Sequence, residues 1–126
     1  MCYGVRTAEL AAGVPEFKAA GIDVQLTSDD GTIGHHGLVT ELLAPALERA
    51  PGNAVYACGP PAMLESVRRI CNERSVRAEL ALEEAMACGF GACFGCVVKA
   101  VDGYRRICVD GPVIAASDLD ESWHSH

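Results

Sequence analysis

The chain has 126 residues, half of them apolar and 21% charged, with a formal net charge of −7. That is globular composition and excludes bulk disorder; no apolar run is long enough for a spanning helix, which excludes a membrane-spanning role. The acidic balance excludes nucleic acid, whose phosphates need clustered Lys and Arg, and the start of the chain lacks the basic-then-apolar pattern of an export signal, so a cytoplasmic protein is expected.

In chain order, Thr7 can cap a first helical turn at Ala8-Glu9-Leu10, and Pro15 can open a second that stops at Gly21. Ile22, Val24 and Leu26 alternate with polar neighbours and predict a strand. The stretch from Thr27 to Gly37 is polar and glycine-rich and predicts a loop. Leu38, Val39, Leu42, Leu43 and Leu47 recur at helical spacing, with Pro45 inside the pattern predicting a kink or break. Ala54 to Cys58 predicts a short apolar strand, Pro61 a helix start, and Met63, Leu64, Val67, Ile70 and Cys71 a core-facing stripe. Ala78, Leu80 and Leu82 alternate with Glu79 and Glu83 as a further strand. Alternation of helix and strand over 7–82 predicts an α/β layer built on a mainly parallel sheet.

After residue 86 the texture changes. Two apolar runs, Cys96 to Val101 and Tyr104 to Val109, flank Asp102-Gly103 and predict a β-hairpin. Residues Leu119 to His126 read as a loose tail, in which Trp123 has no assigned role. The predicted organisation is residues 1–82 as the α/β layer, 83–116 as a small second domain and 117–126 as the tail. The acidic excess falls late: residues 1–78 carry 7 basic and 9 acidic side chains, residues 79–126 carry 3 and 8.

Seven cysteines, at positions 2, 58, 71, 88, 93, 96 and 108, stand out. An odd number without an export signal argues for a metal or redox site rather than a disulfide framework. Cys88, Cys93 and Cys96 have the spacing C-x4-C-x2-C, and Cys108 returns at the far end of the hairpin. Four thiolates so spaced match plant-type [2Fe–2S] ligation. The glycines at 89, 91 and 95 suit a loop that turns its N–H groups inward onto sulfur, through backbone conformations with φ > 0. Structural zinc is the rival, because four thiolates also suit a tetrahedral ion, although zinc ribbons present two C-x2-C knuckles and this chain has one. The glycines of Gly89-Phe-Gly91 have the outline of a dinucleotide fingerprint, but no helical pattern follows them. Cys71 lies on the helical stripe and reads as a core residue, Cys2 as a terminal bystander, Glu83 and Glu84 as solvated acids; His35-His36 and His124-Ser125-His126 can take up adventitious metal but have no visible catalytic partner. No catalytic residue is assigned.

Leu82 to Lys99, followed by Arg106-Ile-Cys-Val-Asp-Gly-Pro-Val113, resembles the cluster region of the electron-transfer subunit of NAD-dependent (class 1B) dihydroorotate dehydrogenase. Tyr3 to Thr7, Thr27 to Gly34 and Tyr56 to Met63, with its Cys58-Gly59-Pro60, are similar to the nucleotide half of that ferredoxin-reductase-like subunit. The resemblance implies a partial nucleotide-binding layer followed by a small [2Fe–2S] domain with a hairpin, with Cys88, Cys93, Cys96 and Cys108 as ligands. It places Cys58, Gly59 and Pro60 beside the nicotinamide–flavin contact, Gly4 and Arg6 near the adenosine, and Asp30 and Gly31 near the nucleotide cleft. It implies a relay in pyrimidine biosynthesis, from the FMN of a catalytic subunit through the cluster towards FAD and NAD. FAD and NAD are expected only in the intact subunit, because the barrel and glycine-rich turn that hold them precede the matched region. The remaining sheet is expected to lack its first strand, so self-association at an unpaired edge is predicted. A structural zinc or interaction module, or the electron-transfer subunit of another flavin–iron–sulfur oxidoreductase, are the alternatives.

Overall fold

The computed structural model describes residues 1–124. It divides into two compact units, Met1–Pro51 and the remainder from Gly52.

In the first unit, β1 (Cys2–Val5) leads through a 3-10 turn at Ala8–Leu10 into α1 (Val14–Ala19). Then follow β2 (Gln25–Ser28), β3 (His35–His36), a 3-10 turn at Val39–Leu42 and α2 (Leu43–Arg49). The three strands form a parallel sheet in the order β1-β2-β3. The predicted strand over Ile22, Val24 and Leu26 is shifted towards the C-terminus, because the pairing of Cys2 with Gln25 through Val5 with Ser28 sets its limits. Thr27 and Ser28, predicted as loop, are therefore buried. The Ser28 hydroxyl donates to the Ile33 carbonyl at 2.8 Å and accepts the Ile33 N–H at 3.0 Å, which closes the following turn. Gly34 is required there: with φ +67, a Cβ would lie 2.1 Å from the Leu26 carbonyl oxygen. The break predicted at Pro45 falls earlier, at the junction of the 3-10 turn with α2, where Pro45 takes an early helical position whose N–H needs no partner. His35 faces Glu41 at 2.8 Å; Ser125 and His126 lie outside the described residues.

In the second unit, β4 (Val55–Cys58) is followed by α3 (Pro61–Glu73) and β5 (Ala78–Ala81), then by β6 (Val97–Ala100), β7 (Gly103–Arg106), α4 (Ile107–Asp110) and β8 (Val113–Ala115). β4 and β5 are parallel and β8 runs antiparallel on the far side of β5, so three of the four pairings in the two three-stranded sheets are parallel. Pro61 opens α3, as predicted, and its stripe buries Leu64, Val67 and Cys71 against the sheet residues Ala78 and Leu80. Burial pushes the Cys71 thiol up, as suits a core residue. β6 and β7 pair as the predicted hairpin, but Ala100 faces Gly103, so the two-residue turn is Val101-Asp102, one position earlier than read.

The C-terminal segment is not a loose tail over its described residues. Leu119 bridges Ala100, the Val101 N–H donates to the Asp118 carbonyl at 2.9 Å, and Trp123 is only 1% exposed. The Trp123 indole N–H donates to Glu65 Oε2 at 2.9 Å, and Arg68 grips the same carboxylate through Nε and Nη2 at 2.7 and 2.9 Å. These bonds hold the Glu65 carboxyl below its ordinary range, with Arg68 the largest cause. Asp120, held by the Ser122 hydroxyl and N–H and by Lys99 at 3.2 Å, is lowered to about 2. No helix among the described residues is long and apolar enough to cross a membrane.

Candidate metal centre

The N–H of Leu82 donates to the Pro112 carbonyl at 2.9 Å, which fixes the entry to the cysteine loop beside the exit from α4. The loop reverses with φ +71 at Gly89, +86 at Gly91 and +59 at Phe94. Gly95, expected to share that conformation, does not; Phe94 adopts it instead. Gly95 contributes through its N–H, which donates to Cys93 Sγ at 3.4 Å. Cys108, read from sequence as the end of a strand, sits on the single turn α4, because the chain must leave β7 to reach the loop. The Ile107 N–H bonds the Cys96 carbonyl at 3.0 Å and seats that turn.

The four sulfurs gather two by two. The Cys93 N–H donates to Cys88 Sγ at 3.4 Å, and the Cys108 N–H donates to Cys96 Sγ at 3.4 Å. The N–H groups of Cys93, Phe90 and Ala92, with the Cys93 thiol, lower Cys88 to about 6. The Cys108 N–H and thiol lower Cys96, and the Cys96 thiol beside it raises Cys108. One loop and one turn therefore aim backbone N–H groups at sulfur and favour the thiolate at Cys88 and Cys96.

This donor set fits a [2Fe–2S] cluster, in which each iron takes two protein sulfurs. Four thiolates also suit a single tetrahedral zinc, which would draw all four sulfurs to one point. Cys96 is buried and Cys93 exposed, and around them Met86, Phe90, Phe94 and Val109 are at least half exposed.

The residues predicted for a nucleotide fall into two sets, each at the carboxyl ends of parallel strands, where α/β sheets bind ligands. In the first unit, Gly4 is bare because a Cβ would meet Val39 Cβ at 2.7 Å, a packing role. Exposed Arg6 accepts the Asp30 N–H on its carbonyl at 3.3 Å. Asp30 Oδ1 accepts the Thr32 N–H and hydroxyl at 3.0 and 2.6 Å, which lowers its carboxyl, and Gly31 turns the chain beside His36. In the second unit, Cys58 ends β4 exposed, a Cβ on Gly59 would meet Met63 Cε at 2.6 Å, and Pro60 caps α3. The sequence reading gave no role to Arg106, which the structure places against the cysteine loop; its position just before Ile107-Cys108 was the available signal.

Fold and site together define a cysteine-rich loop and turn that follow a ferredoxin-reductase-like α/β frame. Residues 83–120 match the family described as the iron–sulfur cluster binding domain of dihydroorotate dehydrogenase B. The chain resembles the electron transfer subunit of dihydroorotate dehydrogenase B (NAD(+)) from Caldanaerobacter subterraneus subsp. tengcongensis, at 37% identity over 84% of this chain and 43% of the relative. The homolog of that subunit from Aquifex aeolicus is 37% identical over 94% of this chain and 46% of its own length. This chain thus spans less than half the length of these curated relatives. A solved structure of an NADH-dependent reduced ferredoxin–NADP oxidoreductase superposes with a TM-score of 0.75 and 29% identity, over 95% of this chain and 42% of that one.

Proposed function

We infer that this chain is an electron-relay module in which Cys88, Cys93, Cys96 and Cys108 hold a [2Fe–2S] cluster. The observation that carries this reading is the two-by-two grouping of those sulfurs, each pair joined by an N–H···S bond at 3.4 Å. Bound there, the cluster supplies a one-electron store. The chain's own part is to present four thiolates, to hold Cys88, Cys93 and Cys96 with backbone N–H groups and so stabilise added negative charge, and to bury the Cys96 side of the centre.

The proposed layout is a nucleotide-half segment over 1–82, a cluster segment over 83–116 and a C-terminal segment over 117–126. The electron donor is the FMN-carrying catalytic subunit of dihydroorotate dehydrogenase, in the cytoplasm, and the route continues to FAD and NAD in the intact assembly. Gly4, Arg6, Asp30, Gly31, Cys58, Gly59 and Pro60 would face the nucleotides there. Among the described residues strands β1 and β4 each bond to one neighbour only, which supports pairing with another chain, or with a second copy, along those edges.

The test is anaerobic mixing of the iron-loaded chain with the dihydroorotate-reduced FMN subunit. Bleaching of the visible band of the chain is expected. An unchanged band, in a sample that dithionite does bleach, would contradict the dihydroorotate assignment. It would favour a second reading, as relay for another flavoprotein, which the likeness to the ferredoxin–NADP oxidoreductase supports.

A further inference from the structure

The last third of the chain has three basic residues among eight acidic ones, and two of the three are committed elsewhere. Lys99 pairs with Asp120 at 3.2 Å, and Arg105 with Asp102 at 2.7 Å across the hairpin turn. Arg106 pairs with Asp110 at 3.4 Å and also points to the cysteine loop. Its Nη1 donates to the Gly91 carbonyl at 3.4 Å, and its guanidinium lies 5.6 Å from the centre of the Phe94 ring. Asp110 Oδ2 steadies it, accepting the Arg106 backbone N–H at 2.8 Å and Nε at 3.4 Å.

Gly91 is shaped to receive it. A Cβ at that position would meet Val109 Cγ2 at 2.8 Å and Arg106 Nη1 at 3.2 Å. The carbonyl that Arg106 grips belongs to the Gly91–Ala92 peptide. With the carbonyl held by the guanidinium, that stretch of the loop is fixed just ahead of Cys93, whose N–H donates to Cys88 Sγ at 3.4 Å. A hydrogen bond to a cation also polarises the peptide and strengthens its N–H as a donor. The ring of Phe94, next to Cys93 in the chain, also holds the cation.

We propose that Arg106 is a positioning residue of the metal centre: by gripping the Gly91 carbonyl and standing over Phe94 it holds the cysteine loop whose N–H groups meet sulfur and brings its guanidinium to that loop, and it thereby raises the reduction potential of the centre. This rests on the [2Fe–2S] reading above. Hydrogen bonds to cluster sulfur and nearby positive charge both favour the reduced, more negative state.

The test is a spectroelectrochemical titration of the full iron-loaded chain, unsubstituted and as Arg106→Gln, Arg106→Lys and Phe94→Leu. R106Q is expected to titrate at a more negative potential, and R106K to recover most of the shift. F94L leaves every charge in place but removes the ring that steadies the guanidinium, so it is expected to shift the same way by less. A potential in R106Q equal to that of the unsubstituted chain overturns the proposal. Should R106Q hold no iron, F94L decides, and an unshifted potential there overturns it equally. An unsubstituted chain that takes zinc and no iron refutes the underlying reading instead, before any variant is compared.

Discussion

Replacing Cys93 by Ser abolishes the visible colour of the iron-loaded chain and removes most of its iron, whereas Cys2→Ser leaves both in place. Cys93 accepts the Gly95 N–H on its sulfur and sends its own N–H to Cys88, so it belongs to one sulfur pair and organises the other member of that pair. A serine hydroxyl at that position is a far weaker ligand for iron than a thiolate, and the loop has no spare sulfur to substitute. Cys58, Cys71 and Cys2 lie on β4, α3 and β1, outside the loop. Ultraviolet–visible spectra and iron analysis of the two variants, prepared anaerobically, check this; full colour in Cys93→Ser would remove that residue from the ligand set.

Trp123→Ala has the largest expected effect on stability, about 3–5 kcal/mol, the range for truncating a buried aromatic that leaves a cavity. The side chain is 1% exposed, and its loss also takes one donor from the Glu65 carboxylate. Glu65 keeps its two bonds from Arg68, so no buried charge is stranded, and Trp123→Phe should cost only ~1–2 kcal/mol for the lost hydrogen bond and poorer fit. Against a total stability of about 5–15 kcal/mol for a domain, the alanine loss is a large fraction. The reason lies in the path of the segment: Leu119 bridges the hairpin at Ala100, and Trp123 reaches α3 through Glu65. Urea unfolding of both variants, followed by circular dichroism, measures the two losses. Equal, small losses would show that the indole contributes little to the core.

The Trp123 contact also shows where sequence reasoning stops. Its partner is 58 residues away, and no local periodicity marks a single tryptophan in a polar end as buried. The same holds for β8, three residues whose strand character comes from pairing with β5 rather than from their own pattern. β1 is likewise defined by its pairing with β2. Where structure is encoded locally, the reading holds: the Leu64, Val67 and Cys71 stripe, Pro61 at the start of α3, and the hairpin around residues 101–103. The hairpin register slipped by one residue because Gly103 tolerates its φ of +136 as the first residue of β7 rather than inside the turn. At the centre, the cysteine spacing picked out the four residues that the structure pairs through N–H···S bonds. It did not reveal that Cys108 arrives on a helical turn, that Phe94 rather than Gly95 takes the left-handed conformation, or that Arg106 grips the loop. Those depend on how two segments meet.

The central claim is that Cys88, Cys93, Cys96 and Cys108 surround two bridged irons. Its most direct measurement is iron, zinc and acid-labile sulfide content of the anaerobically purified chain, with an electron paramagnetic resonance spectrum after dithionite reduction. About two irons and two sulfides per chain and a signal from the reduced sample are predicted. One zinc, no sulfide and a silent spectrum would contradict it.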